Sequence, residues 1–93
     1  MAVQVRIPPV LRKYTAGATT VTAQGKTIAE VLANLEAQYS GLRDQIKDDQ
    51  GQLHRFINIY RNGEDIRYLS RLDTPVEEGD VVAILPAIAG GAS

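Results

Sequence analysis

Few side chains in this 93-residue sequence could do acid–base or nucleophilic chemistry. It has one histidine, His54, and no cysteine, so it offers neither a thiolate nucleophile nor the usual sulfur ligands of zinc. Two acidic pairs, Asp48–Asp49 and Glu77–Glu78, lie in polar stretches where adjacent side chains point in different directions. A general acid and base need facing carboxylates in a dry pocket. We therefore predict no catalytic site and no metal site, and interpret His54 as a loop or strand-entry residue.

The C-terminal end of the chain is the second stretch that could serve a function. The apolar, β-branched run 81–85 is typical of a buried strand, and Pro86 ends it because proline cannot donate to a sheet ladder. The run Ala87-Ile88-Ala89-Gly90-Gly91 follows, and then Ala92-Ser93. Extended, the five residues 87–91 span about 17 Å, enough to enter the active site of another protein. The sequence thus predicts a domain over 1–86 and a flexible tail over 87–93. A frayed terminus is the alternative.

Composition limits the class of protein. The length fits one domain, and the 44% apolar content suffices for a modest core. The formal net charge of −1 argues against a nucleic-acid-binding protein. No stretch approaches the ~20 apolar residues of a membrane span, and the first residues lack the pattern of a signal peptide. We therefore expect a cytoplasmic protein without a membrane or nucleic-acid partner.

Apolar periodicity predicts four strands and one long helix. The helix runs over 27–39, where Thr27 and Glu30 form a capping box and Gly41 is suited to a left-handed C-terminal cap. A further helical turn over 42–46 and a short edge strand within 64–68 are possible. The predicted strands cover 3–7, 19–23, 56–61 and 81–85. The apolar stripe of the helix comprises Ile28, Val31, Leu32, Leu35 and Tyr39.

This order of elements predicts an α+β fold of the β-grasp type. It has a mixed sheet of four to five strands, one main helix on one face, and the first and last strands paired in parallel. A ferredoxin-like fold would need a second full helix over 42–53. Gly51 and the charge-rich loop around it argue against that helix.

With one helix available, the far side of the sheet is predicted to be open. Strand alternation then places a set of largely apolar side chains on that face: Phe56, Asn58, Tyr60, Ala83 and Leu85. An exposed apolar patch marks a partner surface. The alternative is that the 64–68 segment or the region around Tyr14 covers it.

A small β-grasp domain that ends in an apolar tail and Gly-Gly resembles the ubiquitin-like sulfur-carrier proteins. These include the small subunit of molybdopterin synthase, the thiamine-pathway carrier and, with the greatest likeness here, the CysO-type carrier of cysteine biosynthesis. The likeness covers nearly the whole chain. It depends on residues 11–12, 53–60, 62, 64–67, 79–80 and 84–91.

The resemblance implies a carrier without a catalytic site or bound cofactor of its own. In such proteins an E1-like adenylating enzyme uses ATP to activate the terminal glycine carboxylate, here Gly91, and sulfide then converts it to a thiocarboxylate. The preceding residues Ala87, Ile88, Ala89 and Gly90 would be recognised in the channel of that enzyme. The sulfur acceptor would be a synthase of the cysteine-synthase type.

The sequence departs from this pattern because Ala92 and Ser93 follow Gly91. The resemblance implies a precursor from which a JAMM-type metalloprotease removes both residues, although an expression remnant is the alternative. Two other functions remain open. One is a β-grasp docking module or the small subunit of a larger enzyme, which would not need Gly90-Gly91. The other is a ubiquitin-like modifier joined through Gly91 to lysines of target proteins.

Overall fold

The fold is a five-stranded sheet with helices on one side, seen in a computed structural model that describes residues 1–86. The strands are β1 (Ala2–Arg6), β2 (Thr20–Gln24), β3 (Ile57–Arg61), β4 (Glu64–Asp65) and β5 (Val81–Pro86). The α-helices are α1 (Ile28–Gln38) and α2 (Arg43–Ile46), and short 3-10 helices cover Pro9–Tyr14, Ser40–Leu42, Ile66–Tyr68 and Arg71–Asp73.

The strand order is β2-β1-β5-β3-β4. The first and last strands, β1 and β5, pair in parallel at the centre, with Val5 beside Val82. The other three pairings are antiparallel, and Ile59 lies opposite Ile84 in the β3–β5 pair. This topology confirms the predicted mixed sheet of the β-grasp type.

The core lies between one face of the sheet and α1. Alternate residues of the strands point to this face, as the period of two requires. The predicted helical stripe is fully buried at Ile28, Val31, Leu32 and Leu35, and burial of each such side chain contributes about 1.5–3 kcal/mol. Leu11 and Tyr14 also pack on this core. The sheet residues of the core are Val3, Val5, Val21, Ala23, Ile57, Ile59, Val82 and Ile84.

The start of α1 follows the predicted capping box with one difference. The Thr27 hydroxyl accepts a hydrogen bond from the Glu30 N–H at 3.3 Å. The Glu30 carboxylate, however, accepts from the N–H of Lys26 at 2.9 Å, one residue before the cap. Two N–H groups at this helix start are therefore satisfied by side chains.

The predicted role of Gly41 as a left-handed cap is wrong. The last turn of α1 is closed by the Tyr39 N–H, which donates to the Leu35 carbonyl at 3.0 Å, and Gly41 is not among the glycines with positive φ in the described chain. Gly41 lies in the next 3-10 turn, where a Cβ would meet Cδ1 of Tyr14 at 3.0 Å. A side chain at this position would therefore have to displace the ring slightly.

The position of Gly25 excludes a side chain more strictly than that of Gly41, so that a substitution there is expected to lower stability. A Cβ at Gly25 would lie 2.6 Å from the backbone nitrogen of Val31 and 2.8 Å from the carbonyl carbon of Glu30. Because helix backbone cannot move aside locally, Gly25→Ala is expected to cost about 1–3 kcal/mol or more. Gly41→Ala is the matched control, since a partly exposed tyrosine ring can shift. Urea midpoints that fall equally in both variants would contradict this account.

The remaining boundaries differ modestly from expectation. β3 begins at Ile57, so Phe56 lies in the preceding turn. The return strand after the predicted Asn62–Gly63 turn is only two residues long and continues as a 3-10 helix. That turn is confirmed, with φ of +50° at Asn62 and +89° at Gly63. α2 has four residues, which agrees with rejection of the ferredoxin-like alternative.

A polar network around Asp80 joins the two turns at the start of β5. The Asp80 carboxylate accepts hydrogen bonds from Nδ2 of Asn62 at 3.0 Å, from the Glu77 N–H at 2.8 Å and from Nε of Arg61 at 2.8 Å. The Asn62 side chain also accepts from the Val81 N–H at 2.9 Å. These contacts, with the Asn62 hydrogen bond as the largest contribution, lower the pKa of Asp80.

This lowered pKa predicts a loss of stability in acid. A carboxylate whose pKa is lower in the folded state stabilises fully above its unfolded value, about 3.9, and the stabilisation is lost as the pH falls through the folded value. The free energy of unfolding at pH 7 is therefore expected to be larger for wild type than for Asp80→Asn. At pH 3 this difference between the two proteins is expected to be smaller. Urea unfolding at both pH values measures this, with Asp49→Asn in an exposed loop as control. A constant difference would contradict it.

Candidate functional site

The side of the sheet away from α1 presents a row of side chains that crosses all five strands. The strand register aligns Thr20, Arg6, Ala83, Tyr60 and Asp65 in this row. Beside it, Leu85 of β5 lies opposite Asn58 of β3. We call Arg6, Asn58, Tyr60, Ala83 and Leu85 the open face.

The apolar centre of the open face is accessible. Leu85 is 42% exposed, while Asn58, Tyr60 and Ala83 are half-buried between their neighbours. The 3-10 segment 66–68 does not cover Leu85, and Tyr68 itself is exposed. Four of the five predicted patch residues therefore share one face in adjacent strands. Their role in binding a partner stays a prediction.

Phe56, the fifth predicted patch residue, is exposed but lies elsewhere. Its ring is 5.2 Å from the ring of His54 and 5.1 Å from the guanidinium carbon of Arg55. With Val10, Tyr14 and Pro86 it lines a groove at the end of the sheet where β5 finishes. The strand alternation assumed from sequence fails here because β3 begins one residue later.

Charged residues border the apolar centre, and strand alternation did not predict this position for them. Asp65, directly opposite Tyr60, accepts hydrogen bonds from the Arg67 N–H at 2.9 Å and from Arg67 Nη2 at 2.7 Å. The side-chain hydrogen bond of Arg67 lowers the pKa of Asp65, so this carboxylate stays ionised. The available signal was the Asp–x–Arg spacing directly after the Asn-Gly turn.

The other predicted chemistry-bearing groups serve local structure. His54 Nδ1 accepts a hydrogen bond from the Phe56 N–H at 3.2 Å. The residue lies just before β3, which agrees with the predicted loop or strand-entry position. Asp48 Oδ1 accepts from the N–H groups of Gln50 and Gln52 at 2.9 and 3.0 Å. Across residues 1–86, no cluster of three His, Asp or Glu side chains could hold a metal ion.

The predicted tail residues lie outside the described residues: Ala87, Ile88, Ala89, Gly90, Gly91, Ala92 and Ser93. The structure does fix the point from which they continue. Pro86 is the last residue of β5 and lies opposite Ile57, at the end of the sheet that also carries Phe56. The described site thus consists of the open face and the end of β5.

A β-grasp domain with an accessible sheet face, whose central strand is followed in the sequence by 87–89 and then Gly90-Gly91, is of the ubiquitin-like class. The profile of the ThiS family matches residues 5–91. The chain therefore belongs to the ThiS family, which confirms the resemblance to ubiquitin-like sulfur carriers.

Relatives extend the likeness over nearly the full length. The chain is 48% identical over 93 residues to the sulfur carrier protein CysO of Mycobacterium tuberculosis strain H37Rv, covering 98% of this chain and 100% of the relative. A chain in the crystal structure of the Amycolatopsis orientalis BexX/CysO complex superposes with a TM-score of 0.87 at 42% identity, covering 96% of this chain and 99% of that one.

A relative of another kind is small archaeal modifier protein 3 of Haloferax volcanii. It is 35% identical over 65 residues, which are 70% of this chain and 70% of the relative. None of the helices within residues 1–86 has the length and apolar character needed to cross a membrane.

Proposed function

We propose that this chain carries sulfur as a thiocarboxylate on Gly91 and donates it in the biosynthesis of cysteine or a related metabolite. The observation that carries the proposal is the residue at which the match to the family profile ends. The ThiS profile ends at Gly91, five residues beyond the last residue of β5, and leaves out Ala92 and Ser93. The 48% identity to the sulfur carrier protein CysO of Mycobacterium tuberculosis over nearly the whole chain supports a role as a sulfur carrier.

The proposed chemistry uses the main chain as a co-substrate of an E1-like adenylating enzyme. The Gly91 carboxylate attacks the α-phosphorus of ATP and expels pyrophosphate, which gives an acyl adenylate. Sulfide then attacks the carbonyl carbon and expels AMP, leaving the thiocarboxylate. ATP is bound by the activating enzyme, and the carrier supplies only the carboxylate and its surfaces.

Activation first requires that Gly91 become the terminal residue. We propose that a JAMM-type metalloprotease hydrolyses the Gly91–Ala92 peptide bond, releasing Ala92-Ser93 and a glycine carboxylate. The glycines suit a narrow channel past the nucleotide because they carry no Cβ. Ala87, Ile88, Ala89 and Gly90 are the residues that such a channel would contact.

The open face is the proposed docking surface for these partners, since apolar area removed from water contributes about 25 cal/mol per Å². It begins beside the end of β5, so a partner that binds it lies next to the residues that lead to Gly91. The BexX/CysO complex contains a related carrier together with another protein, which supports the expectation of protein partners. The proposed acceptor is a synthase of the cysteine-synthase type.

The ubiquitin-like modifier is the second candidate function. The similarity to a small archaeal modifier protein favours it, and the same acyl adenylate would then be attacked by a lysine amine. The two functions differ in product. A carrier yields a free thiocarboxylate, whereas a modifier yields isopeptide-linked proteins of increased mass.

The absence of cysteine from the sequence allows a direct test. The chain ending at Gly91 is incubated with the activating enzyme, ATP and sulfide, and then with iodoacetamide. A thiocarboxylate sulfur is expected to be alkylated once, and intact mass will show the adduct. The Ser93-ending chain and a reaction without ATP are the controls. No adduct on the Gly91-ending chain would overturn the proposed function.

A further inference from the structure

A cleft beside the open face has no part in the function described so far. It lies between segments 51–58 and 66–73 and has a volume of about 640 Å³. Buried Ile57 and Ile66 contribute to its lining, together with half-buried Leu53 and Leu72. Arg55, Arg67 and Arg71 also line it, and we call it the arginine cleft.

Two of these arginines have no counter-ion in the described part of the chain. Arg67 is paired with Asp65 at 2.7 Å. Arg55 and Arg71 are exposed, and among residues 1–86 no carboxylate lies within ion-pair distance of either. Asp73 is the one acidic residue that lines the cleft. The cleft therefore combines an apolar lining with an excess of positive charge.

Hydrogen bonds hold the wall that carries Arg71. The Ser70 N–H donates to the hydroxyl of buried Thr74 at 3.0 Å, and the Thr74 N–H donates to the Arg71 carbonyl at 3.0 Å. Arg71 itself has a φ of +53°, in the left-handed region. On the other wall, the Phe56 ring lies 5.1 Å from the guanidinium carbon of Arg55. A preformed cleft loses less entropy when a ligand binds.

The cleft lies beside both the end of β5 and the open face. Ile57 lines the cleft and also lies opposite Pro86, the last residue of β5. Asn58, which also lines it, belongs to the open face and lies opposite Leu85. Any protein that takes up the residues leading to Gly91 while contacting the open face therefore lies next to the arginine cleft.

We propose that the arginine cleft receives an acidic segment of the activating enzyme, with an apolar side chain of that segment on Leu53 and Leu72. This inference rests on the proposed function. Carboxylates on the partner would pair with Arg55 and Arg71, whose guanidinium groups suit bidentate contacts. Such contacts at the rim of an interface chiefly guide association and fix orientation.

Peptide binding tests the cleft without the enzyme. A short peptide of alternating glutamate and leucine is titrated into the full-length, isotope-labelled chain. Amide resonances in 53–58 and 66–72 are expected to shift, and Arg55→Gln/Arg71→Gln is expected to weaken binding about tenfold. A glutamine–leucine peptide controls for charge. Shifts confined to other regions, equal affinity of the variant, or shifts with inorganic phosphate but not with the peptide would each overturn the proposal.

Kinetics with the activating enzyme separate this proposal from the function on which it rests. In ATP–pyrophosphate exchange, the double variant ending at Gly91 is expected to raise the KM for the carrier about tenfold with kcat unchanged, and to reduce its salt dependence. Lys26→Gln/Arg43→Gln, which removes the same charge outside the cleft, is the control. An unchanged KM overturns the cleft proposal alone. If even the wild-type Gly91-ending chain is inert, the proposed function fails, and the peptide titration still decides the cleft.

Discussion

A chain that ends at Gly91 is expected to support ATP–pyrophosphate exchange by the activating enzyme, and the chain that ends at Ser93 is expected to support none. The reason is the position of the reacting carboxylate. Two further residues displace it by up to about 7 Å, and a misplacement of 1 Å can already lower a rate about 10²-fold. The Ser93 carboxylate would thus lie beyond the α-phosphorus of ATP when the preceding residues occupy the channel.

The measurement is exchange of labelled pyrophosphate into ATP at several carrier concentrations. As a control, the Ser93-ending chain is treated with the metalloprotease and assayed again, which should restore exchange to the level of the Gly91-ending chain. Equal exchange by both untreated chains would defeat the requirement for processing. No exchange by the Gly91-ending chain would leave the docking module as the better account.

Leu85→Glu is expected to weaken binding of the activating enzyme about 10- to 30-fold without unfolding the domain. Leu85 is 42% exposed near the end of β5, so a charge there costs little in the free protein. In the complex the same charge would be buried in apolar surroundings, and loss of a central contact typically costs about 2 kcal/mol.

Val81→Glu is the matched control for this prediction. Val81 lies on the same strand and the same face and is 37% exposed, but it is at the opposite end of β5 from Pro86. We expect Val81→Glu to change the affinity for the activating enzyme about twofold or less, because the proposed contact is centred on the Pro86 end of β5, which leads to Gly91. Calorimetric titration of each variant with the activating enzyme measures both affinities and shows which end of β5 contacts the enzyme. Equal weakening by both, or by neither, would contradict the assignment of Leu85.

The main features of the fold were predictable because local signals agreed with one another. The Thr27–Glu30 pair marked the start of α1, and the spacing of its apolar residues matched the face that is buried. Val3 and Val5 alternated with polar residues in β1. The prediction for Gly41 was wrong because a glycine after a helix suits a left-handed cap, whereas here this glycine lies against the ring of Tyr14. That contact is tertiary, and periodicity does not reveal it.

The site was predictable only where strand alternation held. Tyr60, Ala83 and Leu85 follow from the period of two, and they lie on the open face. Phe56 does not, because β3 starts after it. The arginine cleft depends on two segments, 51–58 and 66–73, that are separated by 59–65 and brought together by the β3–β4 turn and the 3-10 helices after it. No local pattern indicates that Arg55 and Arg71 line one cleft.

The most direct test of the central claim is the intact mass of the protein isolated from the cells that make it. The account predicts a species that has lost Ala92-Ser93, part of which carries sulfur in place of one oxygen of the Gly91 carboxylate. Treatment with iodoacetamide should modify only that part, since the sequence has no cysteine. A protein found entirely as the Ser93-ending form, or only in isopeptide-linked conjugates without any thiocarboxylate, would contradict the account.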